Sequence, residues 1–166
     1  MSGAAPSDPE SLDSVAEMAA PPEAVYAAFF SHEALVRWWG VISSITLARP
    51  LGIYALEWAP GAGAGAGADV PVGRWGGAFY GTVIDVRPGR EFLLADAYWM
   101  PPDGDPIGPM ALHVTFDPTP AGTRLRFHLS GCDDSPRWRR FYRMIGATWA
   151  DALGALRDQL SRRGES

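Results

Sequence analysis

The pattern of apolar positions is clearest near the C-terminal end of the chain. From Phe141 to Leu160, large apolar side chains recur every three or four residues, with arginine and aspartate between them. That spacing predicts a long amphipathic helix with one apolar stripe. Ser135 and Pro136 are typical of its start, because serine caps a first turn and proline is tolerated within it. We expect the stripe to pack against a sheet.

The central part of the chain follows the alternation of a β-sheet. Short apolar and polar runs are joined in pairs by turns rich in glycine, proline and aspartate, which favours an antiparallel meander. The predicted strands are Ile42–Ala48, Ile53–Trp58, Phe79–Val86, Phe92–Trp99, Met110–Phe116 and Arg124–Leu129.

The N-terminal part predicts one more strand and two short helices. The strand covers Leu12–Ala20, and Pro21–Glu23 opens the first helix, since glutamate suits the positive end of a helix dipole. Ser31 is the expected cap of the second helix, which ends at Gly40. The order of strand, short helices, meander and long helix indicates an α+β domain.

Two segments are predicted to lie outside this ordered frame. Residues 1–10 are polar, small and proline-containing, so we expect a flexible tail before a domain over residues 11–163. The glycine- and alanine-rich insertion at about residues 60–75 should be a mobile loop. It lacks the glycine spacing of a dinucleotide-binding fingerprint.

Composition narrows the function classes. The chain of 166 residues carries a net charge of −5, which argues against a nucleic-acid partner. No apolar run is long enough to span a membrane and no secretory signal is visible, so we expect a cytoplasmic protein. Lysine is absent, which excludes a lysine Schiff base. The single cysteine, Cys132, cannot form an internal disulfide and suits a reducing compartment.

Several segments, in order along the chain, resemble a known family. They are Ala20–Phe29, Leu35–Gly40, Gly81–Pro88, Gly122–Leu125 and Trp149–Leu156. These segments are similar to motifs of the START-like (SRPBCC) superfamily, and most closely to the activator of heat-shock-protein ATPase homologue family. The resemblance covers about residues 12 to 160. Leu129 stands where that family often has histidine before the serine and glycine that end the last strand.

The resemblance implies a helix-grip fold. In that fold a curved antiparallel sheet of about six to seven strands wraps around a long C-terminal helix, with two short helices after the first strand. It also implies a cavity between sheet and helix. Members of the superfamily bind lipids, hormones, polyketides or antibiotics there, and some are cyclases.

Strand alternation then selects the side chains that face this interior. Leu112, Val114 and Phe116 share one face of their strand, so His113 should point to solvent, as should Arg126 and His128 on the next strand. We expect a ligand pocket walled by aromatic rings. The candidate ligand-binding residues are Trp38, Trp39, Tyr54, Trp58, Phe79, Leu94, Asp96, Tyr98, Phe127, Phe141, Tyr142, Ile145 and Trp149.

Polar candidates are few. Asp96 shares strand parity with Leu94 and Tyr98, so it should face inward and orient a ligand hydroxyl or act as a base, unless a bulge turns it outward. The arginine cluster at the start of the long helix either pairs with Asp133 and Asp134 or contacts an anion at the cavity mouth. Asp103 and Asp105 lack the other ligands of a calcium loop.

The leading hypothesis is binding, sequestration or transport of a small hydrophobic or aromatic molecule. One alternative is a cyclase- or hydrolase-like enzyme that uses Asp96 with cavity tyrosines. The other is a co-chaperone-like protein-interaction module. We expect no cofactor, no metal and no membrane span, and either a monomer or a homodimer, since an exposed edge strand could pair across a dimer.

Overall fold

A computed structural model describes residues 11–59, 76–101, 105–131 and 135–163. These residues form one seven-stranded antiparallel sheet and three helices. The elements in chain order are β1 (Ser11–Met18), α1 (Pro22–Ala28), α2 (His32–Trp39), β2 (Val41–Thr46), β3 (Ile53–Trp58), β4 (Gly77–Arg87), β5 (Glu91–Met100), β6 (Ile107–Thr119), β7 (Gly122–Ser130) and α3 (Pro136–Arg163).

The sheet has the order β1-β7-β6-β5-β4-β3-β2, so β1 and β2 are its edges. Strands β2 to β7 follow one another as a meander, and β1 pairs with β7 to complete the far side. The curved sheet holds α3 against its inner face, while α2 also contacts α3. The predicted α+β helix-grip fold is confirmed.

Helix α3 meets the sheet through its apolar stripe. Every large side chain that the spacing singled out is buried: Phe141, Ile145, Trp149, Leu153, Leu156 and Leu160. Burial of such a side chain stabilises a fold by about 1.5–3 kcal/mol, so the stripe anchors the helix to the sheet. The start of the helix is as predicted, with the backbone N–H of Trp138 donating to Ser135 Oγ at 3.4 Å.

The caps of α2 also follow the prediction. Ser31 Oγ accepts a hydrogen bond from the backbone N–H of Ala34 at 3.3 Å. Gly40 ends the helix with φ of 72°, a left-handed conformation that glycine adopts without steric cost. The two consecutive tryptophans that precede it are therefore held on a short rigid helix beside α3.

Strand β6 is longer than its pattern indicated. It begins at Ile107 rather than Met110, because Ile107 is buried opposite Trp99. The register with β5 shifts between these positions, and a shift of this kind accommodates Pro109, which has no N–H for the ladder. The extension places Ile107 and the end of β5 beside the first turns of α3.

None of the helices in the described ranges is long and apolar enough to cross a membrane. The predicted tail, the glycine- and alanine-rich insertion and Cys132 lie outside the described residues.

Candidate functional site

The inner face of the sheet is apolar, as strand alternation predicted. Leu112, Val114 and Phe116 are buried, and the intervening His113 lies on the outer face with Nε2 3.8 Å from Glu91 Oε2. His128 is likewise outside, with Nδ1 4.0 Å from Asp13 Oδ2. The two histidines therefore cannot act together inside the cavity.

A small cavity lies between the sheet and the first half of α3. Its wall is entirely apolar: Trp39, Phe79, Trp99, Leu112, Phe127, Leu129, Phe141 and Ile145. The space open to the centres of water-sized spheres is only about 10 Å³. By that measure ~10–15 Å³ holds one water molecule. In this conformation the rings that line this space nearly close it.

The predicted site residues divide into groups around this cavity. Five line it: Trp39, Phe79, Phe127, Phe141 and Ile145. Trp38, Trp58 and Trp149 are buried directly behind the lining, with the Trp149 ring stacked on Phe127 at a centroid distance of 4.0 Å. Tyr54, Leu94 and Tyr142 are buried but do not line it.

Two of the residues predicted to face the interior lie on the outer face of the sheet instead. Asp96 is exposed and has φ of 48°, and the pairing of β5 with β6 shifts between Leu94 and Ala97. This bulge reverses the alternation, so Tyr98 turns outward and stacks on Tyr80 at 5.6 Å. The expectation that Asp96 and Tyr98 face the interior is wrong.

The same bulge explains a residue that the pattern missed. Trp99 takes the inward position, where it lines the cavity and donates from Nε1 to the Gly76 carbonyl at 3.3 Å. A positive φ at aspartate is tolerated more readily than at most residues. Aspartate between two alanines was the available signal, since it can mark a bulge inside an otherwise apolar strand.

Buried tyrosines hold the interior together. Tyr54 donates its hydroxyl to the Phe29 carbonyl at 2.7 Å, and burial raises the pKa of Tyr54 above its usual range. Burial also raises the pKa of Tyr26. Tyr142 donates to the Gly131 carbonyl. Since Asp96 lies outside, the acid–base pairing of Asp96 with cavity tyrosines is not assembled.

The indole N–H groups behind the cavity are mostly bonded to backbone. Trp38 Nε1 donates to the Ala28 carbonyl and Trp58 Nε1 to the Trp39 carbonyl, both at 2.9 Å. Trp149 Nε1 is buried and has no hydrogen-bond partner within the described part of the chain. Buried polar groups normally have a partner, so this N–H is a candidate donor beside the cavity.

An open groove lies on the other side of the cavity wall, where the end of β5 and the start of β6 meet α3. It has a volume of about 240 Å³ and is lined by Trp99, Pro101, Ile107, Arg137, Arg140, Phe141 and Met144. Trp99 and Phe141 line the groove and the cavity alike. Their rings stack at 5.3 Å with an interplanar angle of 28°. We call this stacked pair, which borders both spaces, the partition.

The arginines at the start of α3 differ in their surroundings. Arg137 is half-buried and donates to the Pro106 carbonyl at 3.2 Å. Arg140 is exposed in the groove, whereas Arg143 is exposed but does not line it. The expected pairing with Asp133 and Asp134 falls outside the described residues. Within the described residues, no cluster of histidine, cysteine, aspartate or glutamate could hold a metal ion.

The outer face of the sheet near the β2 edge is also apolar. Leu47 lies across from Ile53, with its N–H donating to the Ile53 carbonyl at 2.9 Å. Ile45 lies opposite Ala55, which in turn lies opposite Tyr80. Ile45 and Ile53 are 54% and 51% exposed. Clustered exposed apolar side chains on a sheet face often mark an interaction surface.

Comparison with known proteins places this arrangement in context. The family model described as activator of Hsp90 ATPase homolog 1-like protein matches residues 19–160. No curated protein matches the chain.

Solved structures share the fold at low identity. A Mesorhizobium loti protein is 22% identical and superposes with a TM-score of 0.68, covering 92% of this chain and 97% of that one. The AHSA1 protein of Silicibacter pomeroyi is 18% identical with a TM-score of 0.63, over 92% and 99%. An Aha1 dimer from Colwellia psychrerythraea is 17% identical with a TM-score of 0.61, over 90% and 95%.

Proposed function

We propose that this chain, which belongs to the activator of Hsp90 ATPase homolog 1-like family, binds a small hydrophobic or aromatic molecule between its sheet and α3. The observation that carries the proposal is the partition. A stacked pair of rings, Trp99 and Phe141, borders both an open groove and a nearly closed cavity with an apolar wall.

The size of the cavity sets a condition on binding. The present space is too small for an aromatic ligand, so in this proposal the Trp99 and Phe141 rings move apart and join the two spaces. Met144 borders the groove and is only partly buried, and its flexible side chain can adapt to a new shape. The ligand rings would replace the stacking contacts that the two side chains make with each other.

The chemistry of the wall determines the ligand class. The surface that the wall presents to the cavity is apolar, so a buried polar group on the ligand would remain unsatisfied unless it reached Trp149 Nε1. An apolar body therefore suits the cavity. The enzyme alternative has less support, because its carboxylate, Asp96, lies on the outer face.

Binding of the neutral fluorescent probe N-phenyl-1-naphthylamine to the purified protein tests this proposal. We expect saturable fluorescence enhancement that is lost in Ile145→Phe, which fills the cavity. A control variant, Ile53→Ser, removes an apolar side chain from the outer face and should leave the affinity unchanged. Circular dichroism and thermal unfolding would show whether each variant remains folded.

A second cavity-filling variant, Leu112→Phe, covers the case in which Ile145→Phe does not fold. Probe binding that survives in both folded variants, or that disappears in Ile53→Ser, would place the probe on the outer face and contradict the proposal. Absence of any binding would contradict it as well.

The outer apolar face supports a second candidate function, a protein-interaction module that pairs with a second copy of this chain. Strand β2 is an edge, and the exposed side chains of Ile45, Leu47 and Ile53 lie on or next to it and its neighbour β3. Edges of this kind can pair across a dimer. Sedimentation velocity tests this: a dimer that Ile45→Ser with Ile53→Ser dissociates supports it, and a monomer at all concentrations contradicts it.

A further inference from the structure

The groove outside the partition combines positive charge with apolar surface. Its described lining holds two guanidinium groups, Arg137 and Arg140, and no carboxylate. This contrasts with the chain as a whole, which carries a net charge of −5. Asp105, the described carboxylate nearest in sequence to Ile107, is exposed and does not line the groove. The groove therefore favours an anion locally on an acidic protein.

The two arginines retain most of their donor groups. Arg137 uses one guanidinium nitrogen to donate to the Pro106 carbonyl, which fixes its side chain at the groove. Arg140 makes no hydrogen bond or ion pair among the described residues. A guanidinium presents several N–H donors in a planar fork that matches carboxylate and sulfonate oxygens. The side chain of Arg137 is thus held in place, and the guanidinium group of Arg140 is available to a ligand.

The remaining groove wall lies between these arginines and the partition. Trp99, Ile107 and Phe141 are almost fully buried, so their exposed edges form an apolar floor. A ligand lying on this floor would meet guanidinium groups at one end and the enclosed cavity at the other. Trp99 and Phe141 belong to both the floor and the partition. The apolar surface therefore runs without a break from the two arginines to the cavity.

We propose that the ligand is an amphiphilic monoanion, with its acidic head bound by Arg137 and Arg140 and its aromatic body passing between Trp99 and Phe141. This inference rests on the proposed function and adds the head-group chemistry, the route and the orientation. It gives Arg137 and Arg140, two of the arginines at the start of α3, a specific role in binding.

A matched pair of probes tests the inference. 8-Anilinonaphthalene-1-sulfonate and N-phenyl-1-naphthylamine share one aromatic body, and only the former carries a sulfonate. We expect the protein with Arg137→Gln and Arg140→Gln together to bind the sulfonate probe about tenfold more weakly, as charge-assisted hydrogen bonds are lost. Its affinity for the neutral probe should change by less than about twofold, since that probe makes no such bonds.

Arg143→Gln is the matched control, because Arg143 is an exposed arginine of the same helix outside the groove. It removes one positive charge of the same helix, compared with two in the double variant, and should leave both affinities unchanged. Raising the salt concentration should lower the affinity of the wild-type protein for the sulfonate probe, and should lower that of the double variant much less.

The outcomes separate the two proposals. Suppose that the neutral probe binds in the cavity, and that the double variant lowers the affinity for both probes equally or for neither. The proposed binding of an acidic head group by the two arginines is then disproved, while the proposal of cavity binding stands. An effect of Arg143→Gln equal to that of the double variant would also overturn it, because general charge would then be the cause. If neither probe binds at all, both proposals fail.

Discussion

The two ends of the hydrophobic interior differ in how tightly their rings pack. The end beneath α1, which we call the packed end, contains a continuous ring cluster: Tyr26, Phe29, Phe30, Tyr54, Phe92 and Phe116. The opposite end, which we call the cavity end, contains the space lined by Trp99, Phe141 and Ile145. Both ends are built from aromatic side chains, so composition does not explain the difference.

The difference comes from the backbone that surrounds each end. At the packed end, α1 lies against β6 and β7. The carbonyl groups of its last residue, Ala28, and of the following Phe29 accept hydrogen bonds from Trp38 and Tyr54. At the cavity end, the wall is made by strand ends and the first turns of α3. Aromatic rings fill space well only when their edges and faces can meet, and the packed end has the additional helix that brings them together.

The largest losses of stability should follow removal of one aromatic ring from each end. Phe29→Ala leaves a dry cavity in the packed end and should lower the free energy of unfolding by about 3–5 kcal/mol. Phe141→Ala joins the cavity to the groove, which solvent can enter, so its cost should be about 1–2 kcal/mol smaller. Urea unfolding of both variants measures the difference, and equal costs would show that the ends are packed alike.

Adding volume should give a contrast of intermediate size. Leu125→Phe inserts a ring opposite Phe116 in the packed end and should cost about 1–3 kcal/mol through overpacking. Leu112→Phe adds the same volume beside the small space at the cavity wall and should cost about 1 kcal/mol less than Leu125→Phe. Thermal unfolding monitored by calorimetry compares them. A larger loss for Leu112→Phe would mean that the cavity end cannot accept added volume.

The smallest expected effect concerns the bulge that supplies Trp99 to the cavity end. Asp96→Val places a β-branched side chain at a left-handed backbone position and should cost about 1–2 kcal/mol. Asp96→Gly should change the stability by less than about 1 kcal/mol, since glycine accepts that conformation. Ala95→Val, in the extended backbone next to it, is the control. If valine is tolerated equally at both positions, the positive φ at residue 96 does not define the bulge.

Much of the fold was predictable because it depends on repeating patterns. The spacing of Phe141 to Leu160 identified α3, and serine caps identified where α2 and α3 begin. Strand alternation placed Leu112 and Phe127 inside and His113 outside. Each of these predictions uses only neighbours within a few positions along the chain.

The site was less predictable because a bulge at a single residue reverses which side chains of the strand face the interior. Alternation assigned Asp96 and Tyr98 to the interior and left out Trp99, and the bulge at Asp96 reverses all of these assignments. Five of the predicted residues nevertheless line the cavity: Trp39, Phe79, Phe127, Phe141 and Ile145. Trp39, Phe141 and Ile145 lie on helices and Phe127 lies on a strand with an unbroken register, whereas Phe79 faces inward although β4 has a register shift next to it.

The order of helices and strands, the serine caps of α2 and α3 and, outside the bulged end of β5, the buried faces followed from the sequence itself, because local spacing and conformational preference decide them. Tertiary structure alone decided the volume of the cavity and the placement of the Trp99–Phe141 partition beside Arg137 and Arg140. Those features depend on how rings from distant segments meet, and no local pattern encodes the space left between them.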